Sequence, residues 1–145
     1  MIKNIYLASA LSEYAVIEER AQILRLHNYE IVSNWHGIVA KQAEAIDPND
    51  QSARFEIYKN NLTDINSAQI LIADTRNGKP CATFSEIGYA LGIKIPVIWI
   101  QPEILTNDGI RRTNIFDAGC YLIKHDYDHG SLIGLIQLVQ RTRHL

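Results

Sequence analysis

Apolar residues cluster in five short runs that alternate with longer stretches of helical spacing. The runs are Asn4–Ala8, Tyr29–Ser33, Ile70–Ala73, Ile95–Ile100 and Cys120–Ile123. Runs that stay apolar at successive positions are typical of parallel strands, which are buried on both faces. Between them, apolar residues recur every three or four positions, which predicts amphipathic helices. The predicted helices are Tyr14–Leu26, Gln51–Ser67, Thr83–Leu91 and Ser131–Val139, with a further short one across Val39–Ala45.

Strands that alternate with helices predict parallel pairing through right-handed crossovers. We therefore expect one α/β domain over residues 1–145, built as three layers around a five-stranded parallel sheet. The strand order expected for a chain of this size is the flavodoxin-like order 2-1-3-4-5. Sheets of this order bind ligands at the carboxyl edge, between the first and third strands.

Local signals set the ends of several elements. Asn28 fits a left-handed cap for the first helix, and the turn Asp47–Asp50 precedes the helix start at Gln51. Residues Gln101–Thr113 are expected to form a long loop with a turn at Asn107–Gly109. The residues predicted for the buried face of the second long helix are Phe55, Ile57, Tyr58, Leu62 and Ile65.

Composition narrows the possible partners. Hydrophobic residues make up 47% of the chain and the net charge is −2, which gives no broad attraction to nucleic acids or anionic membranes. The sequence lacks the apolar segment of a signal peptide or membrane span. We therefore expect a cytoplasmic protein that binds neither nucleic acids nor membranes. Cys81 and Cys120 are expected to be reduced thiols. The histidines lack metal-ligand spacing, and neither a metal site nor a cofactor is predicted.

Three polar residues stand where such a sheet binds ligands. Asp74 ends the third strand, Glu86 lies in the first or second turn of the next helix, and Tyr6 lies near the carboxyl end of the first strand. Each also has a structural interpretation: a strand aromatic for Tyr6, a carboxylate favoured by the helix dipole for Glu86, and a turn brace for Asp74. The turn Asn77–Pro80 matches no glycine-rich phosphate motif.

Four segments carry a family resemblance. They are IYLAS near the start, YKNNLTDINSAQILIAD in the middle, TFSEIGYALGIKIPVI after it, and Asn-Ile-Phe at 114–116. Together they resemble the nucleoside 2-deoxyribosyltransferase family from Ile5 to about Ile123. The most specific part is Glu-Ile-Gly-Tyr-Ala, which follows a strand and a turn.

The resemblance implies a two-step exchange of nucleobases. Glu86 matches the family nucleophile that attacks the anomeric carbon of a 2′-deoxynucleoside, and Tyr6 matches the tyrosine that orients it. Asn114 matches a residue that the family lends across a subunit interface, which implies a homo-oligomer with shared active sites. The implied substrates are a nucleoside and a free nucleobase, as in nucleotide salvage; the bases are purines, and whether pyrimidines also react is left open. Further predicted substrate contacts are Ser9, Trp35, Asp74, Gly88 and Phe116.

The chain departs from the family pattern at three places. Asn61 stands where the family usually has an Asp that handles the proton of the base, and an amide cannot serve as acid or base. Pro80 stands where some members have a carboxylate, six residues before the nucleophile. Asn34-Trp35-His36 has no clear base-contacting glutamine; Trp35 could stack on the base instead, and otherwise Trp35 and His36 fit a packed edge and a surface imidazole.

The Asn at position 61 has three alternative explanations. In the first, Asp64, one helical turn further on, takes over the proton. In the second, the chain is a natural variant with another task, and in the third, the Asp was replaced deliberately to slow the enzyme. Deliberate replacement is favoured, because Asp and Asn are nearly isosteric and the rest of the segment keeps the family pattern.

Two other functions compete with the transferase. One is a related hydrolase that cleaves nucleoside 5′-monophosphates; it needs a phosphate site, and the first loop, Ser9–Glu13, contains no arginine and carries an acid. The other is a non-catalytic nucleotide-sensing module, which the fold alone does not exclude. A Tyr6–Glu86 pair within hydrogen-bonding reach would count against the module.

Overall fold

The structure is a computed structural model that describes residues 1–37, 40, 43, 45–103, 105–106, 109–110 and 114–143. Its strands are β1 (Asn4–Ser9), β2 (Glu30–Ile31), β3 (Ile70–Asp74), β4 (Val97–Ile100), β5 (Leu105–Thr106), β6 (Gly109–Ile110) and β7 (Leu122–Lys124). Its α-helices over those residues are α1 (Tyr14–Leu26), α2 (Gln51–Ser67), α3 (Cys81–Gly92) and α4 (His129–Arg143). Short 3-10 turns cover Leu11–Glu13 and Ile115–Gly119.

Five parallel strands form the main sheet in the order β2-β1-β3-β4-β7. Counted within this sheet, the order is 2-1-3-4-5, which confirms the predicted fold class. The register aligns Tyr6 of β1 with Leu71 of β3, and Ser9 with Asp74. Both strands therefore end at the same carboxyl edge, and β3 lies between β1 and β4 with all five of its residues buried.

Right-handed crossovers place α1 and α4 on one face of the sheet and α2 and α3 on the other. Contacts agree with this arrangement. The Arg20 guanidinium of α1 lies over the ring of Tyr127, just before α4, at 3.7 Å from the ring centroid. On the other face, the Tyr89 hydroxyl of α3 donates to Asn66 Oδ1 of α2 at 2.7 Å. The second pair joins the two helices that border the site described below.

Several predicted boundaries hold. Helices α1 and α2 have the predicted bounds; Asn28 adopts the left-handed conformation with φ of 66°; and the Asp50 side chain caps α2 by accepting from the Ala53 amide at 3.0 Å. Helix α4 is longer than predicted at both ends, because the Asp128 carboxylate accepts from the Ser131 amide and begins the helix earlier. The predicted helix at Val39–Ala45 falls largely outside the described residues.

The second strand is shorter than predicted, because side chains after Val32 make the hydrogen bonds to β1 that the strand backbone would otherwise make. Pairing continues to the Val32 amide, which donates to the Ile5 carbonyl. Beyond that point, Ser33 Oγ accepts from the Leu7 amide at 3.1 Å, and Trp35 Nε1 donates to the Leu7 carbonyl at 2.7 Å. Both backbone groups of Leu7 are thus satisfied without a strand.

The predicted buried face of α2 is wrong over its first half. Ile65 is fully buried, but Phe55 and Tyr58 are 52% and 57% exposed. The 17 residues of α2 extend over roughly 25 Å, whereas the five residues of β3 span only about 17 Å. The first turns of α2 therefore project past the sheet, beyond the core that the described residues form.

The stretch predicted as a long loop contains a small antiparallel pair, β5 with β6. The two strands flank residues 107–108 of the predicted turn Asn107–Gly109; these two residues lie outside the described part of the chain, and Gly109 begins β6. In the described part of the chain, no helix has both the length and the apolar character that a bilayer crossing requires.

Candidate active site

A tyrosine and a glutamate meet in the core beneath α3. Tyr6 is fully buried on β1, and its hydroxyl donates to Glu86 Oε2 in the second turn of α3. The other carboxylate oxygen of Glu86 has no hydrogen-bond partner among the described residues. Because Glu86 also lines a cavity, this second oxygen is the one available to a ligand.

Burial sets the protonation of the pair. It raises the pKa of Glu86 to about 7, and the hydrogen bond from Tyr6 acts in the opposite direction by stabilising the carboxylate. Burial and the neighbouring Glu86 charge raise the pKa of Tyr6 well above its ordinary value. Tyr6 therefore keeps its proton and remains a donor whenever Glu86 is ionised.

The cavity beside Glu86 lies between α2 and α3 and has a volume of about 580 Å³, a size typical of small-molecule sites. One wall belongs to α3 and the other to α2. The lining residues are Ala82, Ser85, Glu86 and Tyr89 from α3, and Arg54, Ile57, Tyr58, Asn61, Leu62 and Ile65 from α2. Sequence reasoning found Glu86 and Asn61 in this set; it missed Arg54, Ser85 and Tyr89 and interpreted Tyr58 as core.

A second cavity, of about 280 Å³, adjoins the first at Asn61 and Ile57, which line both. Asp64 lies in the second cavity, where its Oδ2 accepts from Asn34 Nδ2 at 3.5 Å. Burial raises the pKa of Asp64, and the Asp64 charge also acts on Tyr6. Asn61 thus lines both the Glu86 cavity and the adjoining cavity that holds the partly buried Asp64 carboxylate.

Trp35 also lines the second cavity. Its indole is 8% exposed and its N–H is bonded to the Leu7 carbonyl, so only a small part of the ring faces the cavity. The expectation of a surface imidazole at His36 is wrong, since that side chain is 1% exposed. His36 Nε2 lies 2.7 Å from Ser33 Oγ and Nδ1 lies 2.6 Å from Glu18 Oε2, which fixes the ring on the α1 side.

Asp74 and Ser9 face the opposite side of the sheet from Glu86. The Asp74 carboxylate accepts from Arg20 at 2.7 Å and from Arg76 at 2.9 Å, and these bonds lower its pKa against the effect of burial. Ser9 Oγ donates to the Asp74 carbonyl at 2.9 Å. Neither residue lines the Glu86 cavity. Sequence patterns did not single out either arginine: Arg20 belongs to the distant helix α1, and Arg76 lies in the turn two residues after Asp74.

The remaining predicted contacts lie away from the cavity. Gly88 follows Glu86 on α3, and a Cβ added there would meet nothing within 4 Å. Asn114 caps the turn Ile115–Gly119, with its Oδ1 accepting from the Phe116 amide at 2.9 Å. The Phe116 side chain is 58% exposed. Asn114 and Phe116 are not among the residues that line the Glu86 cavity.

The turn between β3 and α3 is held against the first loop at Gly78. This residue has φ of +68°, and a Cβ there would lie 2.5 Å from Ser12 Oγ and 2.8 Å from Ala10 Cβ. Only glycine fits such a position. The close approach connects the turn that leads into the Glu86 helix with the loop that follows the Tyr6 strand.

Within the ranges that the structure describes, no group of three or more His, Cys, Asp or Glu residues is placed to hold a metal ion. The chemistry available at the cavity is that of a buried carboxylate, a phenol, amides and a guanidinium. A carboxylate with one oxygen held and the other open to a cavity can act as a nucleophile.

The sheet order and the Tyr6–Glu86 pair beside a cavity are features of an α/β enzyme. The profile of the nucleoside 2-deoxyribosyltransferase family matches residues 5–117. The chain therefore belongs to the nucleoside 2-deoxyribosyltransferase family and is an enzyme of that transferase class.

A solved 2-deoxyribosyltransferase from the psychrotolerant bacterium Bacillus psychrosaccharolyticus has a similar fold. The superposition has a TM-score of 0.59 and covers 89% of this chain and 95% of that chain, with 21% sequence identity. At that identity, the likeness concerns the fold alone. No curated protein matches the sequence.

Proposed function

We propose that the protein transfers a 2-deoxyribosyl group between nucleobases through a covalent intermediate on Glu86. The observation that carries this proposal is the buried hydrogen bond from Tyr6 to one oxygen of Glu86, with the carboxylate at the wall of a 580 Å³ cavity. A nucleoside and a free base are the substrates that family membership suggests.

In the first half-reaction, the free oxygen of Glu86 forms a bond to C1′ of the deoxyribose while the bond from C1′ to the base nitrogen breaks. The electron pair of that bond leaves with the base, which takes up a proton. In the second half-reaction, a ring nitrogen of another base forms a bond to C1′ and that base gives up its N–H proton, while the ester bond from C1′ to Glu86 breaks and its electron pair returns to the carboxylate. Covalent catalysis of this kind divides one difficult displacement into two easier ones.

Tyr6 acts in both half-reactions by donating a hydrogen bond to Glu86. This bond stabilises the ionised carboxylate, which attacks C1′ in the first half-reaction and leaves C1′ in the second. Since burial raises the pKa of Glu86 to about 7, the Tyr6 donor keeps a useful fraction ionised near neutral pH.

The proton on the base is the step in which this chain differs from its family. Asn61 lines the cavity and can donate and accept hydrogen bonds, but it cannot exchange a proton with the base. Asp64 lies in the adjoining cavity with a raised pKa. Asp64, directly or through water, is the acid–base group nearest to this position on α2.

Hydrolysis of nucleoside 5′-monophosphates is the alternative reaction. It needs cations that are free to bind phosphate. Arg20 and Arg76, near the carboxyl edge, are both bonded to Asp74, and Asp74 is on the face of the sheet opposite Glu86. Neither of these two arginines is therefore available to a phosphate in the Glu86 cavity, which favours nucleosides over nucleotides unless Arg54, on the wall of that cavity, binds the phosphate.

The proposal includes an oligomer with shared sites and a role in cytoplasmic nucleotide salvage. Its support is the exposed segment around Asn114 and Phe116, which the monomer leaves outside the Glu86 cavity. Purine deoxynucleosides are the expected donors.

The test is incubation with deoxyinosine and free adenine, followed by chromatography. New deoxyadenosine supports transfer, whereas hypoxanthine without a new nucleoside indicates hydrolysis. Protein exposed to donor alone is then digested and analysed by mass spectrometry. A deoxyribosyl adduct on Glu86 supports the intermediate, and an adduct on any other residue overturns it; Glu86→Ala is the matched control.

A further inference from the structure

Arg54 is the cation of the Glu86 cavity, and neither the family pattern nor the steps above give it a task. It lies in the first turn of α2 and lines the cavity. No ion pair joins it to any residue that the structure describes. A guanidinium that lines a ligand cavity without an internal partner is available to a ligand.

Arg54 enters the cavity wall from the first turn of α2, whereas Glu86 enters it from the second turn of α3. Along α2, Arg54 precedes Asn61 by seven residues, so their Cα atoms are separated by roughly 10 Å along the helix axis. Arg54 therefore contacts a part of the substrate away from the reacting C1′ atom.

Three side chains on one face of α2 have the chemistry to contact the edges and the face of a flat heterocyclic base. Arg54, Tyr58 and Asn61 are spaced i, i+4 and i+7, which places them on one face of the helix, and all three line the cavity. Asn61 offers an amide to one edge of a base, and the Tyr58 ring offers a stacking surface. Tyr58 is 57% exposed and is supported by the Phe55 ring, with centroids 5.9 Å apart.

The guanidinium then meets the far edge of the base. Arginine forms a bidentate contact with two adjacent acceptors, and the O6 and N7 atoms of 6-oxopurines present such a pair. Adenine has an amino donor in place of O6, so the same fork meets a donor there. Cytosine and thymine lack the imidazole ring that carries N7.

We infer that Arg54 is a specificity-determining residue that selects 6-oxopurines, such as hypoxanthine and guanine, over adenine as the base of the substrate. The inference rests on the proposed function for the reaction that the base undergoes, but the binding of a free base does not depend on that reaction. Free bases occupy the same cavity without any chemical step, so recognition and catalysis are separable by experiment.

The first measurement is equilibrium binding of free hypoxanthine and free adenine by calorimetry. The parent protein is expected to bind hypoxanthine about tenfold more tightly than adenine, within the range that a bidentate arginine contact gives against the wrong base. In Arg54→Gln, hypoxanthine binding should weaken by about that factor and adenine binding should stay unchanged. Arg54→Lys keeps the charge but loses the fork, and it should behave like Arg54→Gln.

The second measurement is the ratio of kcat/KM for deoxyinosine and deoxyadenosine, competing as donors for unsubstituted purine. The ratio should fall towards one in Arg54→Gln. Lys59→Gln is the control, because Lys59 is an exposed cation of the same helix that pairs with Glu56 and does not line the cavity.

Several outcomes overturn the inference: equal binding of the two bases by the parent, or an unchanged preference in Arg54→Gln. So does a loss confined to 2′-deoxynucleoside 5′-monophosphates, which would reassign Arg54 to a phosphate. If base binding behaves as expected and no exchange occurs, the inference stands and the proposed function fails. If exchange occurs and Arg54→Gln leaves the base preference unchanged, the proposed function stands and the inference fails.

Discussion

The Tyr6 hydroxyl donates a hydrogen bond to Glu86 Oε2, and this contact joins the first strand of the sheet to the helix after the third strand, 80 residues apart in sequence. It holds one oxygen of a buried carboxylate and leaves the other at the wall of a cavity. The carboxylate is therefore fixed at one oxygen and available to a ligand at the other. The pH dependence of the enzyme should follow from this contact.

Tyr6→Phe should move the acidic limb of the pH–rate profile to higher pH. The Tyr6 hydrogen bond lowers the pKa of Glu86, so its removal should raise that pKa and require a higher pH for the same ionised fraction. The loss of activity should be larger at pH 6 than at pH 9. Initial rates of exchange across that range test this, and Tyr14→Phe, on the wall of a separate cavity, is the control. A uniform loss at all pH values would contradict the assignment.

Glu86→Gln should stabilise the fold above neutral pH. Burial raises the pKa of Glu86 from 4.5 in the free residue to about 7 in the folded protein. Between these values the folded state holds more protons than the unfolded state, so stability falls as pH rises through that window. A neutral Gln avoids this loss, which is at most about 3 kcal/mol.

The Tm of Glu86→Gln should therefore exceed that of the parent by several degrees at pH 8, and the difference should shrink towards pH 4. Calorimetry at the two pH values measures it. Glu103→Gln, at an exposed position, should show no such difference. A constant gap between Glu86→Gln and the parent at both pH values would be inconsistent with titration of Glu86.

Asn61→Asp should raise the exchange rate by at least about tenfold, a conservative part of the hundredfold to ten-thousandfold range for general acid–base catalysis. The reason is that the carboxylate can exchange a proton with the base, whereas the amide cannot. Asn60→Asp adds the same charge at the neighbouring position, which lines only the second cavity, and should give little gain. Equal rates and identical pH profiles for Asn61→Asp and the parent would show that position 61 carries no proton. A large loss in Asp64→Asn would then assign the proton to Asp64.

Gly78→Ala should destabilise the protein and lower its activity. Its φ of +68° and the 2.5 Å approach of a Cβ to Ser12 Oγ leave no room for a methyl group, and strain of this kind costs on the order of 1–3 kcal/mol. Gly134→Ala is the control, since nothing lies within 4 Å of its Cβ and alanine is favoured within a helix by about 1 kcal/mol. Urea unfolding of the two variants should give shifts of opposite sign. A Gly78→Ala variant as stable as the parent would show that the turn and the first loop are not tightly coupled.

Mixing two inactive variants should restore activity if subunits share their sites. Glu86→Ala lacks the nucleophile and Asn114→Ala lacks the side chain expected from a neighbouring subunit. A mixed oligomer contains sites with both residues intact, so exchange of subunits should recover part of the parent activity. Sedimentation should show an oligomer for each variant and for the parent. An active monomeric parent, or no recovery after verified subunit exchange, would argue against shared sites.

Sequence patterns were enough to predict the five strands of the main sheet, the four long helices and their order, although they missed the β5–β6 pair. Continuous apolar runs fixed β1, β3 and β4 because a parallel strand is covered on both faces, and alternation with helices left few possible topologies. The motif around Glu86 also indicated the family, which the family profile confirms, and a candidate nucleophile. These are local or nearly local properties, and each is encoded within a dozen residues.

The tertiary structure decided which polar residues meet. Asp74 and Glu86 follow the same strand in sequence, yet Asp74 pairs with Arg20 and Arg76 on one face while Glu86 reaches Tyr6 on the other. Likewise, Tyr58 has a core-like spacing but lines a cavity, because α2 extends past the end of the sheet. Helical spacing and strand position define a direction only relative to the element itself. The partner on that side is set by the packing of distant segments, which no local pattern contains.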